Sequence, residues 1–339
     1  VADFGTSYVY GFTGTAVNRE DVVDAIFNID PFDTPFFQMA PKVPANHTTV
    51  EWLEDSLAAT ATAVRAEGQA FTQDNVVAAT RVTNNTQIMG KHFIVSETQQ
   101  TVNPYGFSNT FLYEAMKASR EVMRNFETSF FRTSGGSAAG GGTAVSAATA
   151  RAFKSLDDFI VSEKHHANST TIGGGDGTSG ASATGIGEAN FNTALELIWD
   201  NGGNPNWVFT AGPGKRAISA YDGSITAGAT ALTIRTEASS HAIDRAINVY
   251  RSDFGILNVA LDRFCPKGGT GTTLDGAIYI LELPRTQIAI LRPIRFEQLA
   301  KDGDRVRGMT LGELSLKVMN QAAHGRIFGI NSAVPFVAS

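Results

Sequence analysis

At 339 residues the chain is long enough for two domains or one large elaborated one, and 42% hydrophobic with 18% charged residues is the composition of a globular protein. A formal charge of −6 has the wrong sign for a surface that grips nucleic-acid phosphates throughout. The single cysteine, Cys265, excludes an intrachain disulfide framework and a multi-cysteine zinc site and points to a reducing compartment, and no apolar run approaches the ~18 residues of a membrane-spanning helix.

The charge is uneven. Residues 1–60 hold nine acids against Arg19 and Lys42, a net of −7, which leaves +1 for the remainder. No basic and apolar leader of the signal-peptide kind stands at the start. One short helix is expected over Asn18–Phe27, capped by Asn18 with Val22, Val23, Ile26 and Phe27 as its apolar stripe. The stretch NIDPFDTPFFQMAPKVP (Asn28–Pro44) then sets Phe32, Phe36 and Phe37 among four prolines. Proline fixes φ and removes a donor, so this stretch reads as an extended arm through which neither a helix nor a central strand runs. Some 45 extended residues reach ~150 Å, far beyond the ~20 Å radius of gyration of a compact chain of this length. The arm can therefore leave its own subunit.

Thr48–Leu57 and Ala79–Thr98 are β-like and are expected to form a long two-stranded hairpin, which needs a surface to lie on. Asn109–Thr133 is the clearest helix, with Phe111, Leu112, Ala115, Met116, Val122, Met123, Phe126 and Phe130 as its apolar face and Glu114, Lys117, Glu121, Arg124 and Glu127 spaced for i, i+3 and i, i+4 pairs. Two Gly/Ser/Ala runs, Ser134–Ala150 and Thr170–Gly187, read as exposed loops. Around them the pattern becomes α/β, with helices at Phe191–Asp200 and Pro213–Tyr221 and a strand at Asn206–Thr210. Further strands are expected at Ile247–Tyr250, Ile256–Leu261, Ala277–Leu283 and Gln287–Leu291. Arg305–Asn320 alternates like a strand, and its parity shifts at Gly312 and Glu313 as at a β-bulge.

Motifs for chemistry are weak. GPGKR (Gly212–Arg216) lacks P-loop spacing and its hydroxyl, and reads as a strand-to-helix turn. GGGDGTSG (Gly173–Gly180) is a single copy of a repeat that binds calcium only in arrays. Adjacent His165 and His166 do not converge on one ion, and Asp302–Asp304 reads as a turn between strands. There is no GxSxG elbow and no HExxH helix. The stretch 285–307 carries a net +3 but too few aromatics for a nucleic-acid groove, so ion pairing with the acidic arm of another copy is the more economical reading.

The segments Ile26–Leu57, Ile198–Ser219, Tyr250–Pro266 and Arg292–Ile330, with the order of elements just described, resemble the major capsid proteins of tailed bacteriophages, of the HK-ninety-seven-type fold and the SU-ten-like family. The resemblance spans nearly the whole chain apart from the Gly/Ser/Ala loops. It implies an α+β fold divided into an N-terminal arm (1–44), an E-loop hairpin (45–103), a peripheral domain with a long spine helix (104–150), an axial α/β domain (151–284) and peripheral return strands (285–339). Some relatives join E-loop and peripheral domain through a Lys–Asn isopeptide bond. The hairpin tip here, Glu67–Asn75, has no lysine, which argues against that chemistry.

The function so implied is structural: self-assembly of hexamers and pentamers into an icosahedral head around double-stranded DNA, without catalytic residues, cofactor, metal or membrane. Portal, scaffolding and decoration proteins are the implied partners, the virion is the location, and the host bacterial cytoplasm is the place of assembly. Intersubunit contacts are expected from Phe32, Phe36, Phe37 and Trp52 as apolar anchors, and from Asp30 and Asp33 against Arg292 and Arg295. The competing readings are a secreted or surface β-rich adhesin, which would need a signal peptide, and an α/β hydrolase, which would need a nucleophile elbow.

Overall fold

The computed structural model describes residues 30–57, 67–68, 77–102, 109–132, 150–161, 164–166, 187–220, 248–267, 276–301 and 303–330. The expected helix at Asn18–Phe27, both Gly/Ser/Ala runs but for Ala150 and Gly187, and most of the hairpin tip lie outside these residues.

The proline-rich stretch is more ordered than an extended arm. Pro35 opens a one-turn helix, α1 (Pro35–Met39), from the first-turn position where a missing N–H costs nothing. Strand β1 (Lys42–Pro44) then pairs in parallel with Ile288–Ile290 of β10 (Thr286–Leu299) at the edge of a sheet, where proline is tolerated. The reading that no helix forms here is corrected: a proline that breaks a helix internally starts one at its N-terminus.

The β-rich segment after the arm divides. β2 (Thr49–Glu54) and β3 (Thr80–Asn85) make an antiparallel two-stranded hairpin in full register. At Thr86 the chain leaves it, and β4 (Gln87–Ser96) joins β11 (Arg305–Val318) instead. The expected long hairpin is thus a short one followed by an edge strand of the main sheet. That four-stranded sheet has the order β1-β10-β11-β4. Ser96 caps the short helix α2 (Glu97–Thr101), its hydroxyl accepting from Gln99 N at 3.2 Å.

The spine helix is α3 (Thr110–Phe131), and Asn109 caps it by accepting from Leu112 N at 3.1 Å. Its first turns pack Phe111, Ala115 and Ala118 on Phe93 and Val95 of β4. Its last turns bury Val122, Phe126, Phe130 and Phe131 in the main core, beside α4 (Leu156–Phe159).

A second, six-stranded mixed sheet has the order β5-β12-β9-β6-β8-β7, formed by β5 (Lys164–His166), β6 (Trp207–Thr210), β7 (Val249–Ser252), β8 (Gly255–Leu261), β9 (Gly276–Leu281) and β12 (Gly325–Ile330). Every residue of β9 is buried, and strand alternation assigns its side chains to two cores. Ala277, Tyr279 and Leu281 enter the core under the spine helix, while Ile278 and Ile280 enter a core shared with Phe191, Leu195 and Ile198 of α5 (Glu188–Asp200). β12, grouped by sequence with the return strands of the first sheet, pairs with β9 and so returns to the second.

The turn GPGKR runs from β6 into α6 (Gly212–Ala220). A Cβ on Gly214 would lie 2.0 Å from the Thr210 hydroxyl, so this glycine serves close packing. The irregularity read at Gly312–Glu313 belongs to the partner strand. β11 stays in register with β4 from Arg305 to Leu314, whereas β10 slips by one residue between Ile290 and Arg292 and again between Arg292 and Arg295. Gly312 shows why: a Cβ there would stand 2.7 Å from Ile294, the side chain that the second slip brings across it.

Candidate assembly surfaces

For a chain expected to assemble, the informative question is which anchors are already satisfied within it. Phe36 is fully buried in its own chain, its ring centroid 5.5 Å from Phe130, 5.4 Å from Phe131 and 5.5 Å from Phe209. Phe37 is half-buried, stacked on Phe130 at 6.4 Å with the Lys42 ammonium 4.7 Å from its centroid. Trp52 is buried against Phe159 at 5.8 Å and donates its indole N–H to Glu54 Oε1 at 2.8 Å. The expectation that Phe36 and Trp52 fill sockets on another copy is therefore corrected, while Phe37 keeps part of its surface open. The turn begun at Pro35 swings Phe36 inward, and strand alternation sends Val50, Trp52 and Val82 to the core side of the hairpin.

Phe32 is the exception, at 53% exposure. It lies with Asp30 along a groove of about 250 Å³ on the outer face of the spine helix, lined there by Tyr113, Met116 and Arg124, and the Arg120 guanidinium stands 4.9 Å from its ring centroid. Asp33 faces Arg263 at 3.9 Å, both largely exposed.

The basic partners are also engaged. Arg292 Nε donates to Glu313 Oε2 at 2.8 Å, Thr86 donates to Glu313 Oε1 at 2.7 Å, and Arg151 closes on the same carboxylate. Burial alone would raise the Glu313 pKa, but the Thr86 hydroxyl and Arg292 hold it below the ordinary carboxylate range. Arg292 thus completes a network inside its own chain, with 41% of its side chain still exposed. Arg295 pairs with Glu297 at 2.6 Å but stays largely exposed.

Two buried acids were missed by sequence reasoning. Glu127, read as a member of the surface ion pairs of the spine helix, is fully buried and accepts from Phe36 N at 2.7 Å and Phe37 N at 2.9 Å. Loss of hydration, and then the neighbouring Asp262, push its pKa up to about 9. The available signal was its position beside Phe126 and four residues before Phe131, on the side of the helix that carries the large apolar rings. Asp262, just past β8, is fully buried too and accepts from Phe264 N at 2.8 Å.

What remains open to solvent is apolar in places that project from the body. Leu53 on β2 is 70% exposed and Leu57 beyond it 96%. Leu112 and Met116 face outward on the spine helix, and Trp199, Ile256 and Leu261 lie exposed on the six-stranded-sheet side. No cluster of acids, histidines and cysteine fit to hold a metal occurs among the described residues.

A family model described as SU10 major capsid protein matches residues 6–331. The chain belongs to that family, one of structural capsid proteins rather than enzymes. Family membership sets aside the adhesin and hydrolase readings. A major capsid protein of Escherichia phage Phieco32 is 31% identical over 100 residues, a match that covers 29% of this chain and 28% of that relative. Among solved structures, a chain from the capsid of a native GTA particle superposes with a TM-score of 0.62 at 12% identity, covering 95% of this chain and 98% of that one. A structure from Gordonia phage Cozz gives 0.59 at 11% identity over 93% and 92%, and one from Mycobacterium phage Bobi 0.58 at 11% over 93% and 96%. At such identities the likeness is one of fold, the HK-ninety-seven-type capsid fold expected from the sequence.

Proposed function

We propose that this SU10-family chain is the repeating subunit of a phage head, assembling in the host cytoplasm as hexamers and pentamers into an icosahedral shell around double-stranded DNA. The observation that carries this is the agreement of fold with a capsid subunit over nearly the full length of both chains. In this reading the spine helix and four-stranded sheet are the peripheral domain, the six-stranded sheet is the axial domain, and β12 ties the second to the first. Neighbouring copies meet the parts a lone chain leaves uncovered: the outward face of the hairpin at Leu53 and Leu57, and the arm ahead of α1 beginning at Phe32, Asp30 and Asp33.

Specific interfaces bury about 1,000 Å² or more, and projecting elements supply such area without enlarging a core. The negative charge of the chain suits a wall along which DNA slides; duplex DNA held by assembled shells at low salt would count against that. Size-exclusion chromatography followed by electron microscopy of the purified chain tests the main reading. Rings of five or six, or closed shells, are expected; a monomer that persists at high concentration would refute it.

A further inference from the structure

We propose that Glu127 and Asp262 form a one-proton latch that fastens the root of the arm to the spine helix and opens when that proton is withdrawn. The latch has three parts. Glu127 reaches from the spine helix and takes the N–H groups of Phe36 and Phe37, the first turn of α1, one on each carboxylate oxygen. Asp262 follows β8, its backbone N–H bonded to Thr210 O at 2.9 Å and its Oδ1 taken by Phe264 N. Its Oδ2 is buried and receives no N–H.

Asp262 is the acid that neighbours Glu127 in this core, near enough to raise its pKa. Ionised carboxylates only accept, so a bond between two of them requires a proton on one. A proton held between the two acids would also supply the donor that the buried Oδ2 lacks. The pair then carries a single negative charge, met by the N–H groups of Phe36, Phe37 and Phe264.

The other charged and titratable groups around the pair do not replace the proton. Cys265, on the same turn, is wholly buried, and that burial with Asp262 and Glu127 beside it pushes its thiol up and keeps it neutral. Asp157 on α4, the next acid outward, is already met by Arg326 at 3.0 Å and by the Tyr279 hydroxyl. Arg263 points to Asp33 at the surface. Among the described residues no lysine or arginine forms a salt bridge with Glu127 or Asp262.

Withdrawal of the proton would leave two negative charges in one dry site, a condition relieved by admitting water. Three elements cover the pair: a 22-residue helix, the end of a central sheet, and a helix of five residues. The five-residue helix is the cheapest to lift. The sign follows from the upward shift: closure is complete at neutral and acid pH and is lost as pH rises through the latch's own raised value. The inference concerns how the arm is held and does not depend on the assembly reading.

Infrared difference spectra of the full-length protein at pH 7 test the proton. Wild type minus Asp262→Asn, and wild type minus Glu127→Gln, should each show one protonated-carboxyl C=O band; its absence from either difference would overturn the latch. Brief proteolysis with an alkaline-tolerant protease, normalised to a peptide substrate, tests the opening. Cleavage between Phe36 and Lys42 should rise at least about tenfold from pH 7 to pH 10 in wild type and stay flat in Asp262→Asn, whose amide can donate to Glu127 but cannot ionise. Equal rises in both proteins, or no rise in wild type, would overturn the proposal. Cleavage spread equally over the body would do the same. Should Asp262→Asn fail to fold, the wild-type profile beside Glu127→Gln decides it in the same way.

Discussion

Removing the ring of Phe36 would open a void bounded by Phe130, Phe131 and Phe209, on backbones fixed by a long helix and a central strand that cannot collapse to fill it. Buried Phe→Ala changes cost about 3–5 kcal/mol, so Phe36→Ala should lower the stability of the isolated subunit by that order in urea denaturation. Phe32→Ala, four residues earlier and half exposed, should leave it nearly unchanged. Equal effects would contradict the inward turn at Pro35. The sequence offered three phenylalanines in one proline-rich stretch without distinguishing them. The distinction comes from the Glu127 carboxylate that orients the first turn of α1, a contact 91 residues distant along the chain. His324 makes a second residue-scale case. Burial holds its pKa down to about 4, and its Nδ1 accepts from Glu282 N at 3.2 Å, which only an unprotonated nitrogen can do. A base with a depressed folded pKa contributes stability above its unfolded value, ~6.5, and loses it as pH falls toward about 4. The Glu127–Asp262 pair has the opposite sign in that range, so the two offset each other in the wild-type curve. The advantage of wild type over His324→Gln should therefore shrink by about 3 kcal/mol between pH 7 and pH 4; a constant difference across that range would show His324 already charged in the fold.

Most elements were legible because their periodicity is local. The spine helix expected over Asn109–Thr133 spans Thr110–Phe131 with Asn109 as its cap, and the strands at 206–210, 256–261 and 277–283 lie within two residues of those expected. What sequence missed depends on pairing. The slips opposite Gly312 put both extra residues in β10, and the parity of β11 alone cannot say which of the two strands carries them. β4 and β3 read as one run because Thr86, which separates them, is an ordinary strand residue; its hydroxyl is drawn off by Glu313. The arm carries the most consequential difference. Sequence alone suggests that removal of Val1–Pro44 would spare the body, but α1 and β1 belong to the body, the first through Phe36 and the second through β10. Relative to a chain truncated before Asp30, truncation after Pro44 should cost several kcal/mol more, the sum of a lost buried ring and a lost edge strand. Matching melting curves for the two truncations would mean that the arm root is not integral.

For the whole molecule, the division between satisfied and unsatisfied groups separates folding from association. The acidic arm and basic strand suggested a charge-steered contact between copies, yet Arg292 is spoken for by Glu313 inside the chain. Reversing it to glutamate would set a second negative charge against a nearly buried carboxylate and would destabilise the subunit itself, whatever it did to assembly. Charge reversal there is a stability probe. The informative assembly probe is apolar and exposed. Leu53 has its neighbours Trp52 and Val50 turned into the core while its own side chain faces water on a two-stranded hairpin, a unit that is marginal without something to lie against. Leu53→Asp removes apolar surface that only another molecule can bury, so melting of the isolated subunit should change by no more than about 0.5 kcal/mol. Closure into particles should fail, because the lost contact recurs at every position of the lattice. Its failure should persist at high ionic strength, where screening would relieve a defect caused only by the charge of the new aspartate. Normal particles from Leu53→Asp, counted by electron microscopy beside wild type at equal concentration, would exclude the outer face of the hairpin from the interface and return the search to the groove at Phe32.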